Sequence, residues 1–169
     1  YTEEDEPNPA GVYAVSKYAG EFFARNLCRR HYVIRFPTLF GRRRNKSMGF
    51  VDKIYNWIKE GKELRIADDK IDSPSYTVDL ARLLVKIIEE RMPYGVYHFA
   101  NSGIVSYYDF VCKFAELLGS NVKIIRAKDR DFEALAPKPL RTALRSIKLE
   151  PIRTWEEALE EYVETELLQ

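Results

Sequence analysis

The chain has 169 residues, 46% of them hydrophobic and 31% charged, which is one domain's worth with room for a small second subdomain. A count of 27 Lys and Arg against 26 Asp and Glu leaves a net charge of +1, so no global field draws the protein to nucleic acid or to an anionic membrane. The composition also excludes disordered, collagen-like and low-complexity chains. No apolar run approaches the roughly 20 residues of a membrane span, and the opening stretch Tyr1 to Pro9 is acidic rather than a basic signal sequence. A cytoplasmic protein is expected, with Cys28 and Cys112 as small core hydrophobes in a reducing compartment.

Asn8 and Pro9 supply an N-cap and a first helical position, and no breaker except Gly20 interrupts Val12 to Arg30, which predicts a helix of about five turns. HYVIRF, His31 to Phe36, reads as a buried strand closed by Pro37, and an arginine-rich loop follows Gly41. Phe50 to Lys59 places Val51, Ile54, Trp57 and Ile58 at helical spacing and stops before Gly61. ELRIA, Glu63 to Ala67, is the next strand. From Thr77 to Met92 the set Val78, Ala81, Leu84, Val85 and Ile88 marks one helical face, ended by Pro93 and Gly95. VYHFA, Val96 to Ala100, returns as a strand; Ser106 and Asp109 cap a helix running to Gly119; VKII, Val122 to Ile125, is a further strand. Thr154 and Glu157 form a capping box for a last helix. Helices alternating with strands argue an α/β fold.

No glycine-rich turn of the GxGxxG kind follows any of these strands, so the chain encodes no cradle for a dinucleotide pyrophosphate. His31 and His98 lack a second ligand at metal spacing, and Asp68, Asp69 and Asp72 lack the order of a calcium loop, so no metal is assigned. Tyr94, Tyr97, Tyr107 and Tyr108 are spread over a turn, a strand and a helix start, which favours packing over a platform for stacked bases.

Tyr13 and Lys17 lie four apart on the first helix and project from one face. An ammonium one turn from a phenol favours the phenolate, and such a phenol can give a proton to a developing alkoxide near neutral pH. Carbonyl reduction by hydride transfer needs that donor. The spacing alone is weak evidence, because it occurs a second time at Tyr55 and Lys59, where a solvated lysine in a last helical turn explains it.

The surroundings of the first pair, PNPAGVYAVSKYAGE followed by VIRFPTLFG, resemble the extended short-chain dehydrogenase/reductases, and most closely the dTDP-4-dehydrorhamnose reductases. DKIDSPSYTVDLA (Asp69 to Ala81) is similar to that family's DQxGxPTYTxDLA, and GVYHFANSGIVSYYDF (Gly95 to Phe110) to its GxYHxxNxGxxSxYEF. APKPLRTAL (Ala136 to Leu144) and TWEEAL (Thr154 to Leu159) extend the match in family order over nearly the whole chain.

The resemblance implies an α/β fold: the C-terminal part of a Rossmann-like parallel sheet plus a small α/β substrate-binding subdomain. Residues 1–48 would end the NADP-binding domain, and 49–169 would form mostly the substrate subdomain, with some segments returning to the sheet. It implies Tyr13 as catalytic acid and Lys17 as the lysine that tunes it and holds the nicotinamide ribose, with Ser16, Gly20 and Glu21 completing the helix signature. Phe36, Pro37 and Thr38 would pass the nicotinamide; Thr38, Arg42, Ser75 and Arg141 would meet the substrate. The implied reaction is NADPH-dependent reduction of a dTDP-4-keto-6-deoxy sugar, with NADH as the other candidate cofactor. The implied partner is a nucleotide sugar, and a homodimer is left open.

By the same resemblance the glycine-rich half precedes Tyr1, so the chain is expected to be the C-terminal part of a longer reductase and inactive alone. Three departures stand out. Phe36, Pro37 and Thr38 replace Thr-Ser-Trp, removing a tryptophan that packs on the sugar; Lys70 and Asp72 replace the Gln and Gly of DQxG; and Lys138 replaces an Arg. Pro37 is shared with nucleotide-sugar epimerases and dehydratases and with the regulatory subunit of methionine adenosyltransferase, which supply the alternative functions. The run Arg42, Arg43, Arg44, Asn45, Lys46 suits either a pyrophosphate or a solvated loop, and Arg141 either a phosphate or a surface ion pair.

Overall fold

A computed structural model describes residues 1–42, 48–133, 136 and 138–168. In chain order the elements are α1 (Val12–Leu27), β1 (Tyr32–Arg35), β2 (Leu39–Phe40), α2 (Phe50–Lys59), β3 (Leu64–Ala67), β4 (Ile71–Asp72), β5 (Ser75–Tyr76), α3 (Thr77–Glu89), β6 (Gly95–His98), β7 (Asn101–Ser102), β8 (Val105–Ser106), α4 (Tyr107–Leu117), β9 (Ile124–Ala127), β10 (Ile152–Thr154) and α5 (Trp155–Tyr162). A single π turn, Val163–Leu167, extends α5. The pairings β1 with β6, β2 with β5, β3 with β9 and β10 with β7 are parallel, and β4 with β8 is antiparallel. The predicted α/β class with parallel strands holds.

Two hydrophobic cores form. The larger joins Val51, Ile54 and Ile58 of α2, Leu64 and Ile66 of β3, Phe110, Val111 and Phe114 of α4, and Trp155, Leu159 and Tyr162 of α5. Each such side chain contributes about 1.5–3 kcal/mol by leaving water. Both ends of this layer were readable. The Ser106 hydroxyl accepts from the Asp109 N–H at 3.0 Å, and Thr154 and Glu157 form the reciprocal box. Gly61, at φ +65°, closes α2 in the left-handed conformation that costs other residues a steric penalty. The smaller core sets Leu80, Leu83 and Ile87 of α3 against Tyr97 and Phe99, with Tyr32 and Ile34 of β1 packed on it.

Several expectations are corrected. The buried face of α3 is Asp79, Leu80, Leu83 and Ile87, while Ala81, Leu84, Val85 and Ile88 are exposed. Two apolar stripes run along this helix, and periodicity cannot choose between them. The choice is made by Asp79, which is 7% exposed and takes a two-pronged bond from Arg153 Nε and Nη2 at 2.8 and 2.9 Å. Asn101 joins that network, donating to Asp79 at 2.8 Å and accepting from the Tyr76 N–H at 2.9 Å. Cys28 is exposed and Cys112 half-buried, because Cys28 ends a helix that has no buried residue. The strand predicted at Val122 to Ile125 sits two residues later, at Ile124–Ala127, paired along β3. The cap of α1 is Gly11 rather than Asn8.

Candidate active site

Helix α1 carries Tyr13 and Lys17 on an exposed face; the Tyr13 ring is 76% exposed and the Lys17 ammonium lies 5.5 Å from its centre. No ion pair engages Lys17 among the described residues, so its charge is available to a ligand. Ser16 turns back to donate to the Tyr13 carbonyl at 2.8 Å. Four residues beyond Lys17, Glu21 accepts two bonds from Arg35, at 3.0 Å from Nε and 2.6 Å from Nη2. This fork is how α1 is held to the carboxyl end of β1: a bidentate guanidinium-carboxylate pair fixes orientation as well as distance. The Tyr55 and Lys59 pair lies on α2, where the ammonium stacks over its own helix's ring at 4.8 Å.

Beyond Arg35 the chain leaves β1 through Phe36, which is 56% exposed, and half-buried Pro37 and Thr38. The carboxyl ends of parallel strands are where ligands of α/β proteins sit. Thr38 is pinned there from three sides. Its N–H donates to Asp72 Oδ2 at 3.2 Å, its carbonyl accepts from the Ser75 N–H at 2.9 Å, and its hydroxyl meets that of Tyr107 at 2.9 Å. Gly41 follows at φ +144°, packed so closely on Thr77 that a Cβ would collide with that side chain, so the turn out of β2 requires glycine.

The proposed substrate residues fare differently. Ser75 is fully enclosed; its hydroxyl donates to the Ser73 carbonyl at 3.0 Å and accepts from the Asn101 N–H at 2.9 Å. It ties β5 to β7, with its proton spent inside the fold. Arg42 is exposed and 3.8 Å from Glu166, while residues 43–46 of the basic run lie outside the described residues. Arg141 bridges in parallel to Ile71, has an exposed side chain and no ion pair among the described residues, against the surface-pair alternative.

Sequence reading missed Glu3. One of its oxygens accepts from the His98 N–H at 2.9 Å and from the Ser146 hydroxyl, and the other accepts from the Ile147 N–H at 2.9 Å. Burial pushes the Glu3 carboxyl up, but these hydrogen bonds outweigh it and hold it below the usual carboxylate range. The partners lie 95 to 144 positions away, a distance no local pattern spans. His98 is 2% exposed, its Nε2 is 3.4 Å from Arg35, and its Nδ1 has no hydrogen-bond partner among the described residues. Burial pushes its imidazole down, against the pull of Glu3.

Two concavities flank these groups. A small one is lined by Thr38, Phe40, Phe50, Asp72, Tyr107 and Phe110. A larger one of about 530 Å³ lies among Thr2, His98, Asn101, Gly103, Arg145 and Ile152 and touches none of the predicted site residues. Among the described residues no group of three or more His, Cys, Asp or Glu is placed to hold a metal ion, and no helix is long and apolar enough to cross a membrane.

The family model of the RmlD substrate binding domain matches residues 1–168. The chain belongs to that family. Across 168 residues it is 33% identical to the spore coat polysaccharide biosynthesis protein SpsK of Bacillus subtilis, an alignment that takes in 97% of this chain and 58% of that protein. A dTDP-4-dehydrorhamnose reductase structure from Clostridium acetobutylicum superposes with a TM-score of 0.90 at 35% identity, covering 97% of this chain and 59% of that one. The Bacillus anthracis dTDP-4-dehydrorhamnose reductase, solved in complex with NADP, gives 0.90 at 30% identity over 98% of this chain and 59% of its own. The RmlD-type chain thus spans somewhat more than half the length of the relatives it matches.

Proposed function

We propose that this RmlD-type domain serves, in the full-length protein, the NADPH-dependent reduction of the 4-keto group of a dTDP-6-deoxyhexulose, the conversion of dTDP-4-dehydrorhamnose to dTDP-rhamnose. The observation that carries the reading is the pair Tyr13 and Lys17, one turn apart on an accessible helix face, in a chain of this family. The residues present fit the nicotinamide-ribose end of the cofactor: an ammonium without an ion pair among the described residues and an exposed phenol on α1, held to the carboxyl end of β1 by the Arg35 and Glu21 fork. They do not supply a cradle for its phosphates, since no glycine-rich turn occurs in the sequence.

When bound, the nicotinamide supplies hydride to the keto carbon. Tyr13 gives its phenolic proton to the carbonyl oxygen as negative charge builds there, and Lys17 stabilises the phenolate that remains and holds the ribose hydroxyls. Phe36, Pro37 and Thr38 form the wall along which the nicotinamide and sugar lie, and Arg42 and Arg141 reach for the pyrophosphate of the nucleotide sugar. The exposed apolar side of α1, with Val12, Val15, Phe22, Phe23 and Leu27, packs in this reading on the part of the relatives that this chain does not span.

The test is turnover by the full-length protein. Net oxidation of NADPH with dTDP-4-keto-6-deoxyhexulose, lost by about 10²- to 10⁴-fold in Tyr13→Phe, is expected. Retained activity in that variant would overturn the assignment of Tyr13. Interconversion of nucleotide sugars without net NADPH oxidation would replace the reductase with an epimerase.

A further inference from the structure

Glu21 stands one turn beyond Lys17 on α1, at the spacing where opposite charges pair along a helix. Helical side chains lean toward the N-terminus of their helix, so an unengaged carboxylate at position 21 would hang over the turn that carries Lys17. The two form no ion pair among the described residues. The Lys17 ammonium lies one turn the other way, 5.5 Å from the centre of the Tyr13 ring.

What holds Glu21 away is Arg35, at the carboxyl end of β1. Its Nη2 donates to Glu21 Oε1 at 2.6 Å and its Nε to Oε2 at 3.0 Å, so both carboxylate oxygens are taken. Arg25, on α1 itself, reaches only Oε1, at 3.4 Å, and Oε2 therefore depends on Arg35. The guanidinium is fixed from behind as well. Its Nη1 is 3.4 Å from His98 Nε2, which has to accept because an arginine carries only donors, and the His98 N–H is held by Glu3 at 2.9 Å. The side chains of Glu21 and Arg35 are 9% and 20% exposed, whereas Lys17 is exposed. A carboxylate so little hydrated needs a cation, and with Arg35 gone the flexible ammonium one turn back is within reach of Oε2.

We propose that Arg35 is a positioning residue for Lys17: by occupying both oxygens of Glu21 it keeps the Lys17 ammonium out of an ion pair along its own helix and leaves that charge to Tyr13 and to the ribose of the nicotinamide cofactor. Glu21 is a competitor for Lys17 that the fork holds in check. This deepens the proposed function and rests on it.

The experiment titrates the full-length protein with NADPH, following nucleotide fluorescence, and measures steady-state kinetics with NADPH and dTDP-4-keto-6-deoxyhexulose. The proteins compared are the parent, Arg35→Gln, Glu21→Gln and the Arg35→Gln/Glu21→Gln double variant. Arg35→Gln is expected to raise the Kd for NADPH about tenfold, the worth of one hydrogen bond to a charged group, and to lower kcat, while the KM for the sugar nucleotide stays near the parent's. Glu21→Gln weakens the fork but leaves no carboxylate to take Lys17, so it should cost less than Arg35→Gln. The double variant should bind NADPH more tightly than Arg35→Gln, back at the level of Glu21→Gln, a rescue that the loss of a mere tether between α1 and β1 does not give. A double variant no tighter than Arg35→Gln, a Glu21→Gln as weak as Arg35→Gln, or a sugar-nucleotide KM that rises in step with the Kd would overturn the proposal. Arg35→Lys serves if Arg35→Gln fails to fold: it keeps a cation at position 35 without the fork and so leaves one Glu21 oxygen open. Equal Kd values for Arg35→Lys with and without Glu21→Gln would overturn the proposal on their own. A parent that does not bind NADPH would overturn the functional reading and this proposal together; a parent that binds NADPH but does not oxidise it with the keto sugar would overturn the reductase reading alone, and the Kd comparison would still decide the role of Arg35.

Discussion

The layer built from α2, β3, α4, β9 and α5 closes on itself, whereas the layer built from α1, β1, β6 and α3 does not. In the first, α2, α4 and α5 each bury one face and expose the other, and Phe114, Ile54 and Leu159 are at or below 1% exposure. In the second, α1 buries nothing and leaves Phe22 and Phe23 more than half exposed. The side that carries Tyr13 and Lys17 is thus the side whose helix is packed least. The closed layer shapes the walls near Thr38, and the open layer leaves Tyr13 and Lys17 on an exposed helix face, the division that the proposed function assigns to recognition and chemistry.

The comparison can be broken most forcefully in the closed layer. Phe114→Ala should cost about 3–5 kcal/mol by leaving a cavity among α2, α4 and α5, measured as a fall in the denaturant midpoint. Asp79→Ala, at the join of the two layers, should cost roughly 2 kcal/mol, because it removes the two-pronged bond from Arg153, which keeps Glu161, and one of the two partners of the Asn101 amide. A change below about 1 kcal/mol there would mean that the network does not hold α3 to α5.

The same join gives a pH dependence. Burial pushes the Asp79 carboxyl up, but its bonds from Arg153 and Asn101 hold it below the usual range. Its stabilisation is therefore present above the unfolded value of about 3.9 and is lost as pH falls through the lower folded one. His98 acts earlier. With its imidazole pushed down by burial, the unfolded chain takes up a proton below about pH 6.5 that the fold refuses. Stability should therefore begin to fall between pH 6.5 and 5, and His98→Gln should flatten that part of the curve.

The smallest effect is expected on α1. Phe22→Ser should change the stability of this chain by no more than about 0.5 kcal/mol, as at an ordinary surface position, and, under the packing proposed for α1, should cost more in the full-length protein. Equal effects in the two would contradict the open-layer account.

Much of the closed layer was legible because its signals are local. The predicted span of α2, Phe50 to Lys59, matches the observed one, and the caps at Ser106 and Thr154 are four-residue motifs. What escaped was set by distance in sequence. The two-residue strands β2, β4, β5, β7 and β8 exist only through partners tens of residues away. The face of α3 was decided by Arg153, and the two threads through Glu3 and Thr38 join residues that share no pattern. At the site, Tyr13 and Lys17 were visible as a spacing, and the order of motifs around them distinguished that pair from Tyr55 and Lys59. Motif position gave no sign that the Ser75 hydroxyl is engaged inside the fold, with Ser73 and Asn101.

The division between the layers is tested most directly by titrating the 169-residue chain and the full-length protein with NADPH and following nucleotide fluorescence. The account predicts no saturable binding by the chain alone, whose sequence has no glycine-rich turn to cradle the phosphates, and saturable binding by the full-length protein. Tight, saturable binding by the chain alone would contradict it.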